Sequence, residues 1–472
     1  MSDLAAPTGL FDRAIRRIAT VWRDMAAGVS AEDDEGIEAQ MRACLARRGG
    51  EVSARNRAAK LAQAYLALDA EGRRGFLRTL AEFDSDPAAV AQAYEAVQAA
   101  TDPAERASAK ARLRRALEPP RLRLLTQFTS IPDGIRFLIE MRAMLLDTMA
   151  GEPHLQALEN DLRGLLSAWF DIGFLDLQRI DWTSPAALLE RLVGYEAVHE
   201  IRSWRDLKNR LDSDRRCYAF FHPRMALEPL IFVEVALVQG LATSVQGLLD
   251  EKAPVLDPKL ADTAIFYSIS NCQRGLSGIS FGNFLIKRVV ELLSAEFRNL
   301  RTFATLSPVP GFRRWLDGKL AEEAGVLISE EEESALRTAA PAEAPAAETG
   351  TQALAAILAR RTWWRDPVML RAADPVLTRL CARYLLVESR ESERGAPRAL
   401  DPVAHFHMSN GARLERINLA ADTSERGARE SATIMVNYLY DPAKIEDWHE
   451  DYVGEGRRNA STGVRRMARG WA

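Results

Sequence analysis

Three short stretches carry residue types that can do chemistry. The first is LSPVPGF, residues 306–312, in which Ser307 follows the run RTFATL. Pro308 biases Ser307 toward extended backbone, and Pro310 with Gly311 stiffens and then turns the chain, so the hydroxyl has little freedom left to lose. A surface turn closed by the serine side chain fits the same residues. No G-x-S-x-G pattern surrounds Ser307, which excludes the nucleophile elbow of an α/β-hydrolase. The second stretch is VAHFHMSNG, with His405 and His407 two residues apart. On a strand both rings point to one face and Phe406 to the other. No carboxylate, cysteine or third histidine stands at a metal-ligand spacing, so a single general acid or base is expected rather than a metal site. His407, ahead of a turn through Ser409, Asn410 and Gly411, is expected at a strand end. A structural histidine fits the spacing equally well.

The third stretch, AIFYSISNCQRGLSGISFGNFLIKRVVELL, reads as a strand over residues 264–270, a glycine-rich loop, and a helix. Gly275, Gly278 and Gly282 punctuate the loop. Backbone N–H groups at such a helix start are donors to a phosphate or to a developing oxyanion, and Lys287 and Arg288 add positive charge. A purely structural strand-to-helix turn fits as well. The pattern is neither a P-loop, for want of GK[ST], nor a dinucleotide fingerprint, whose glycine spacing differs.

Two kinds of element must position these residues. From Leu10 to about Gln178 apolar residues recur at three- and four-residue steps, as in RNRAAKLAQAYLAL, and prolines at 87, 103, 119, 120 and 132 divide the segment into helix-sized pieces. After IDWTSPAALLERL the chain turns to short β-rich runs: CYAFFHP, PLIFVEVALV, AIFYSISN, RTFATLSP, VAHFHMSN and ESATIMVNYLYD. The expected class is therefore α+β, with a helical bundle over residues 1–184 and a mixed domain over 185–472. The Ala/Pro/Glu-rich segment near residues 330–352 reads as a mobile surface insertion. The arginine-bearing N-terminus is interrupted by Asp3, Asp12 and Asp24 and reads as an ordinary first helix rather than a transit peptide.

The 472 residues, 47% hydrophobic and 27% charged, suit a globular protein of two or three domains. With 62 basic against 66 acidic residues the formal charge is −4, without the basic excess that a nucleic-acid partner requires. Four scattered cysteines, Cys44, Cys217, Cys272 and Cys381, suggest neither zinc nor disulfides and fit a reducing cytoplasm. The run LIFVEVALV is too short to span a bilayer and contains Glu234, so it reads as a buried strand and no membrane partner is expected. The terminal GWA differs from a peroxisomal S-K-L address, in keeping with the cytoplasm.

Taken in order, RRCYAFFHPRMALEPLIFVEVAL, the strand–loop–helix above, FATLSPVPGFRRWL, HFHMSNGARLERINLAADTSERG and VNYLYD resemble the malonyl-CoA decarboxylase family, from about residue 175 onward. The resemblance implies a helical N-terminal domain used in homo-oligomerisation, as a dimer or tetramer, and a C-terminal domain similar to the GNAT acetyltransferase fold. It implies conversion of malonyl-CoA to acetyl-CoA and CO2 without a cofactor or metal. By motif position it implies Ser307 and His407 as the catalytic pair, Tyr440 as an active-site tyrosine, and Ser277, Gly278, Ile279, Ser280, Phe281, Gly282 and Asn283 as the malonyl-CoA-binding segment. Some members carry an acidic residue where this chain has Ser280, so no role of that carboxylate carries over. Asn410 and Asp422 fall in matching stretches and are assigned supporting roles, Asn410 in substrate binding.

A malonyl thioester is its own electron sink, so the protein has two tasks: to hold the breaking C–C bond across the carbonyl plane and to stabilise the enolate oxygen. Ser307 either hydrogen-bonds the substrate or attacks it through His407, and the sequence leaves both schemes open. An acyl-CoA N-acyltransferase on the same fold would share the glycine-rich loop without requiring both Ser307 and His407. A non-enzymatic helical interaction protein would bind no CoA ester at all.

Overall fold

The computed structural model describes residues 21–25, 36–46, 50–279, 282–322, 327–341, 347–390 and 396–469. The first-helix reading falls mostly on residues 1–20, outside the described residues. Residues 21–25 are helical, and Trp22 there is fully buried, its indole N–H donating to the Pro132 carbonyl.

Among the described residues eight helices follow, from Ile37–Leu45 to Pro153–Trp169. Their starts are written in the sequence. Pro87, Pro103, Pro120 and Pro153 each occupy the first helical turn, where a missing N–H costs nothing, and Asp86 and Asp102 cap the two helices that begin Pro87 and Pro103. Apolar stripes on the helices meet in a core that includes Phe76, Phe128, Phe137 and Leu162, with edge-to-face contacts joining Trp22, Tyr65 and Phe128 to Phe137.

The remaining chain builds a mixed sheet from β1 (Asp176–Ile180), β2 (Arg215–Phe221), β3 (Pro229–Val238), β4 (Thr263–Asn271), β5 (Thr302–Thr305), β6 (Ser307–Pro308), β9 (Arg413–Asn418) and β10 (Met435–Leu439). A separate ribbon pairs β7 (Ser389–Arg390) with β8 (Arg398–Ala399). The order in the large sheet is β1-β2-β3-β4-β5-β10-β6, with β9 also pairing β10. Every pairing is antiparallel except β4 with β5, whose parallel register is bridged by the helix Gly282–Glu296. The α+β expectation holds, and β3 is the buried strand expected of PLIFVEVALV: Glu234 within it is held by the Arg210 guanidinium at 3.1 Å.

Three segments differ from the sequence reading, beginning with Asp176–Ile180, which is strand β1 inside the stretch read as a helical bundle, because it pairs along β2. VAHFHMSN is helical, not extended: the helix Pro402–Ser409 begins with Asp401 as its cap and Pro402 in its first turn, a local start signal that outweighs the β-prone residues inside it. The Ala/Pro/Glu-rich segment, expected as a mobile surface insertion, carries helical structure at both of its ends. Ser329 and Glu332 form a reciprocal capping box for the helix Glu330–Ala339, whose Leu336 is buried and whose Glu332 is gripped by Arg379 at 2.6 Å. A second helix, Gly350–Ala359, closes the segment, while residues 342–346 lie outside the described residues. In ESATIMVNYLYD, Glu430 and Ser431 end the helix Glu425–Ser431 and only Met435–Leu439 is strand.

Candidate active site

The extended chain breaks at Leu306, and both halves pair with β10: Ala304 lies opposite Leu439, and Ser307 opposite Val436. Asn437 fills the break, its side-chain N–H donating to the Thr305 carbonyl at 2.8 Å. Thr305 and Ser307 are two residues apart in extended chain and so share a side. Ser307 Oγ donates to Thr305 Oγ1 at 2.8 Å, and the Tyr438 backbone N–H donates to the same oxygen at 3.2 Å. Ser307 is buried, with 6% exposure, so the stiff turn of LSPVPGF presents an interior hydroxyl and not a surface one.

Opposite it stands His407, brought by the last turn of the helix Pro402–Ser409. Asp401 fixes that helix by accepting the Ala404 N–H at 2.8 Å. Residues two apart on a helix point about 200° apart, so the two histidines do not share a face. His405 turns to the Tyr452 hydroxyl at 2.8 Å, while His407 Nε2 lies 2.9 Å from Ser307 Oγ and its Nδ1 lies 2.8 Å from the Tyr440 hydroxyl. Tyr438 and Tyr440, two apart at the end of β10, flank the imidazole, Tyr438 stacking on it with ring centres 4.5 Å apart. Burial pushes the His407 pKa down to about 3, so the ring is neutral near pH 7. The same burial holds the Tyr440 phenol well above its usual range.

The glycine-rich loop is held from behind by the helical region. A Cβ on Gly275 would lie 1.9 Å from the Ile139 carbonyl oxygen, so this glycine serves close packing. Gly278 has φ +77, the left-handed conformation that glycine adopts without penalty. Ser277 Oγ donates to the Arg274 carbonyl and the Ile279 N–H to the Leu276 carbonyl. Gly282 and Asn283 open the helix Gly282–Glu296, and Ser280 and Phe281 lie outside the described residues. Lys287 pairs with Glu446 at 2.7 Å and Arg288 with Glu291 at 2.8 Å. Asn410, buried directly after the His407 helix, donates to the Phe406 carbonyl at 2.7 Å, and its amide oxygen accepts nothing from the described residues. It lines a cavity of about 880 Å³ with Ser409, Lys287 and His449. Asp422 is engaged elsewhere, by Gln246 and by the Ser424 backbone, both at 3.0 Å.

Sequence reasoning missed Thr305, Tyr438 and Asp401. Two had readable signals: the T-x-S spacing on an extended segment, and Asp-Pro ahead of a helix. Tyr438 had none, because its stacking partner is 31 residues away in the chain.

Fold and site together define an α+β protein with a buried hydroxyl–imidazole–phenol chain at a sheet edge. Comparison with known families makes this particular. Residues 83–170 match the model of the malonyl-CoA decarboxylase N-terminal domain and residues 173–471 that of the malonyl-CoA decarboxylase C-terminal domain. The chain belongs to the malonyl-CoA decarboxylase family. It is 36% identical over 464 residues to the mitochondrial malonyl-CoA decarboxylase of Anser anser anser, covering 92% of this chain and 89% of that one. It is 39% identical over 352 residues to the Mus musculus mitochondrial enzyme, covering 73% and 70%. Among solved structures, malonyl-CoA decarboxylase from Rhodopseudomonas palustris superposes with a TM-score of 0.80 at 41% identity, over 91% of this chain and 98% of that one. That from Agrobacterium vitis gives 0.81 at 40%, over 91% and 99%. Among the described residues no helix is long and apolar enough to cross a membrane.

Proposed function

We propose that this chain decarboxylates malonyl-CoA to acetyl-CoA and CO2, with Ser307 and His407 as the catalytic pair. The observation that carries the reading is the buried 2.9 Å contact between Ser307 Oγ and His407 Nε2, inside the region that matches the family's C-terminal domain. Breaking the C–COO⁻ bond sends its electron pair into the thioester carbonyl, and CO2 leaves. Backbone N–H groups of the 277–283 segment stabilise the enolate oxygen, apart from those of Ser277 and Ile279, which the Arg274 and Leu276 carbonyls already accept. Ser307 and His407 hydrogen-bond the malonyl carboxylate and fix its rotation, so that the breaking bond overlaps the carbonyl π system. Donors that held the departing carboxylate too tightly would oppose reaction, so their value lies in geometry. After CO2 leaves, one of the pair protonates the α-carbon, and solvent returns that proton; each turnover consumes one. Tyr440 orients the imidazole, and Asn410 contacts the substrate from the cavity wall. The reaction needs no cofactor as electron sink, because the thioester is one.

Self-association is assigned to the helical region. The helix Pro87–Ala99 buries none of its residues and exposes Tyr94, which supports a partner copy there. Light scattering of the intact chain tests this.

The function is tested by incubating the protein with malonyl-CoA and measuring acetyl-CoA and CO2. Equimolar formation of both is expected, and no turnover with intact, folded protein would sink the reading. Mass spectrometry of quenched reactions for malonylated Ser307 separates covalent from non-covalent action.

A further inference from the structure

We infer that the hydrogen-bond chain through the site runs in one direction and that Thr305 fixes that direction as a positioning residue. The inference rests on the reading of Ser307 and His407 as the catalytic pair. Ser307 has one hydroxyl hydrogen, and it is directed at Thr305 Oγ1, 2.8 Å away. Toward His407 Nε2, at 2.9 Å, the serine oxygen therefore accepts, and Nε2 carries the ring hydrogen. A neutral imidazole has one N–H, so Nδ1 is an acceptor. It takes the hydrogen of the Tyr440 hydroxyl at 2.8 Å, the only hydrogen-bond partner of that hydroxyl among the described residues. Tyr440 donates to His407, His407 to Ser307, and Ser307 to Thr305.

Thr305 is suited to end the chain. It is fully buried, its side-chain oxygen is pinned by the Tyr438 backbone N–H at 3.2 Å, and its carbonyl is held by Asn437 at 2.8 Å. The consequence is chemical. For Ser307 to attack a thioester through His407, Nε2 must accept the serine proton, and here it donates. The resting imidazole holds its hydrogen at Nε2, where an incoming carboxylate takes it over in place of the Ser307 oxygen and the α-carbon receives it as a proton, whereas nucleophilic attack first requires the imidazole to change tautomer.

The test is nitrogen-15 NMR of the intact chain labelled at histidine, with and without Thr305→Val, Thr305→Ser and Tyr440→Phe. In the wild type His407 is expected as the Nε2–H tautomer. Thr305→Val should shift His407 away from that tautomer and lower kcat about tenfold, the order of one lost hydrogen bond, with KM little changed. Thr305→Ser should restore both. Tyr440→Phe should leave Nδ1 without its donor and mix the tautomers. A wild-type Nδ1–H tautomer overturns the inference, as does Thr305→Val with wild-type kcat and tautomer. If Thr305→Val does not fold, the wild-type tautomer and the Thr305→Ser and Tyr440→Phe spectra decide. The NMR readout needs no substrate, so failure of malonyl-CoA turnover and failure of this inference are separate results.

Discussion

Arg142 ties the helical region to the glycine-rich loop: its Nη1 donates to the Gly275 carbonyl at 2.6 Å while its Nη2 holds Glu159 at 2.7 Å, all three buried. Arg274 reinforces the junction from the loop side by donating to the Ala143 carbonyl at 3.0 Å and pairing with Asp147. The helices thus brace the loop assigned to the CoA ester. Removing one partner of a buried ion pair strands the other charge, so Arg142→Leu is expected to cost about 3–5 kcal/mol in denaturant unfolding. It should raise KM for malonyl-CoA more than it lowers kcat; an unchanged KM in folded protein would detach the loop from substrate binding.

Gly275→Ala forces a methyl against the Ile139 carbonyl. Either the loop or the helix Gly134–Thr148 must yield, at about 1–3 kcal/mol. Thermal unfolding measures it, and a Tm equal to wild type would show that the packing gives way freely.

Ser307→Ala and His407→Asn should each lower kcat by about a hundredfold or more, the usual weight of a positioned acid–base group. Their double variant should lose little beyond the worse single, because the two act as one unit. Near wild-type kcat in either folded single variant would remove the pair from the mechanism.

Stability should fall with acid because of His407. Its pKa is about 3 in the fold and near 6.5 when unfolded, so between these values the unfolded chain binds a proton that the native chain refuses. The stabilisation is present above pH 6.5 and is lost progressively as pH falls toward 3. At pH 5 this amounts to about 2 kcal/mol relative to pH 8 from this ring alone. His405, pushed down to about 4 by partial burial and two nearby arginines, adds in the same direction. Urea titrations at the two pH values, on wild type and His407→Asn, isolate the term: the variant should show a shallower loss, and equal losses would contradict it.

Asp401→Ala should cost about 1 kcal/mol through the lost cap. It should also lower kcat by releasing the helix that aims His407, whereas Asp401→Asn, which keeps an acceptor for the Ala404 N–H, should retain most activity. Identical kinetics in the two variants would assign Asp401 to folding alone.

What the sequence determined by itself is local. Proline and aspartate at the starts of the N-terminal helices, the alternating and continuous apolar runs of β2, β3 and β4, and the stiff Ser307 turn are set by neighbours within a few residues, and such interactions are legible in order along the chain. The family motifs were legible for the same reason, as contiguous strings. The helix carrying His407 was misread because β-prone residues inside it outvoted its Asp-Pro start, although the cap was there to be seen. Tertiary structure alone decided the rest. Ser307 and His407 are 100 residues apart and meet only because the strand breaks at Leu306 and both halves dock on β10. Burial then fixes the imidazole as neutral, and Ser307 and Tyr440 take its two ring nitrogens, since a proton's position depends on the solvent excluded and the partners supplied, neither of which a linear string contains.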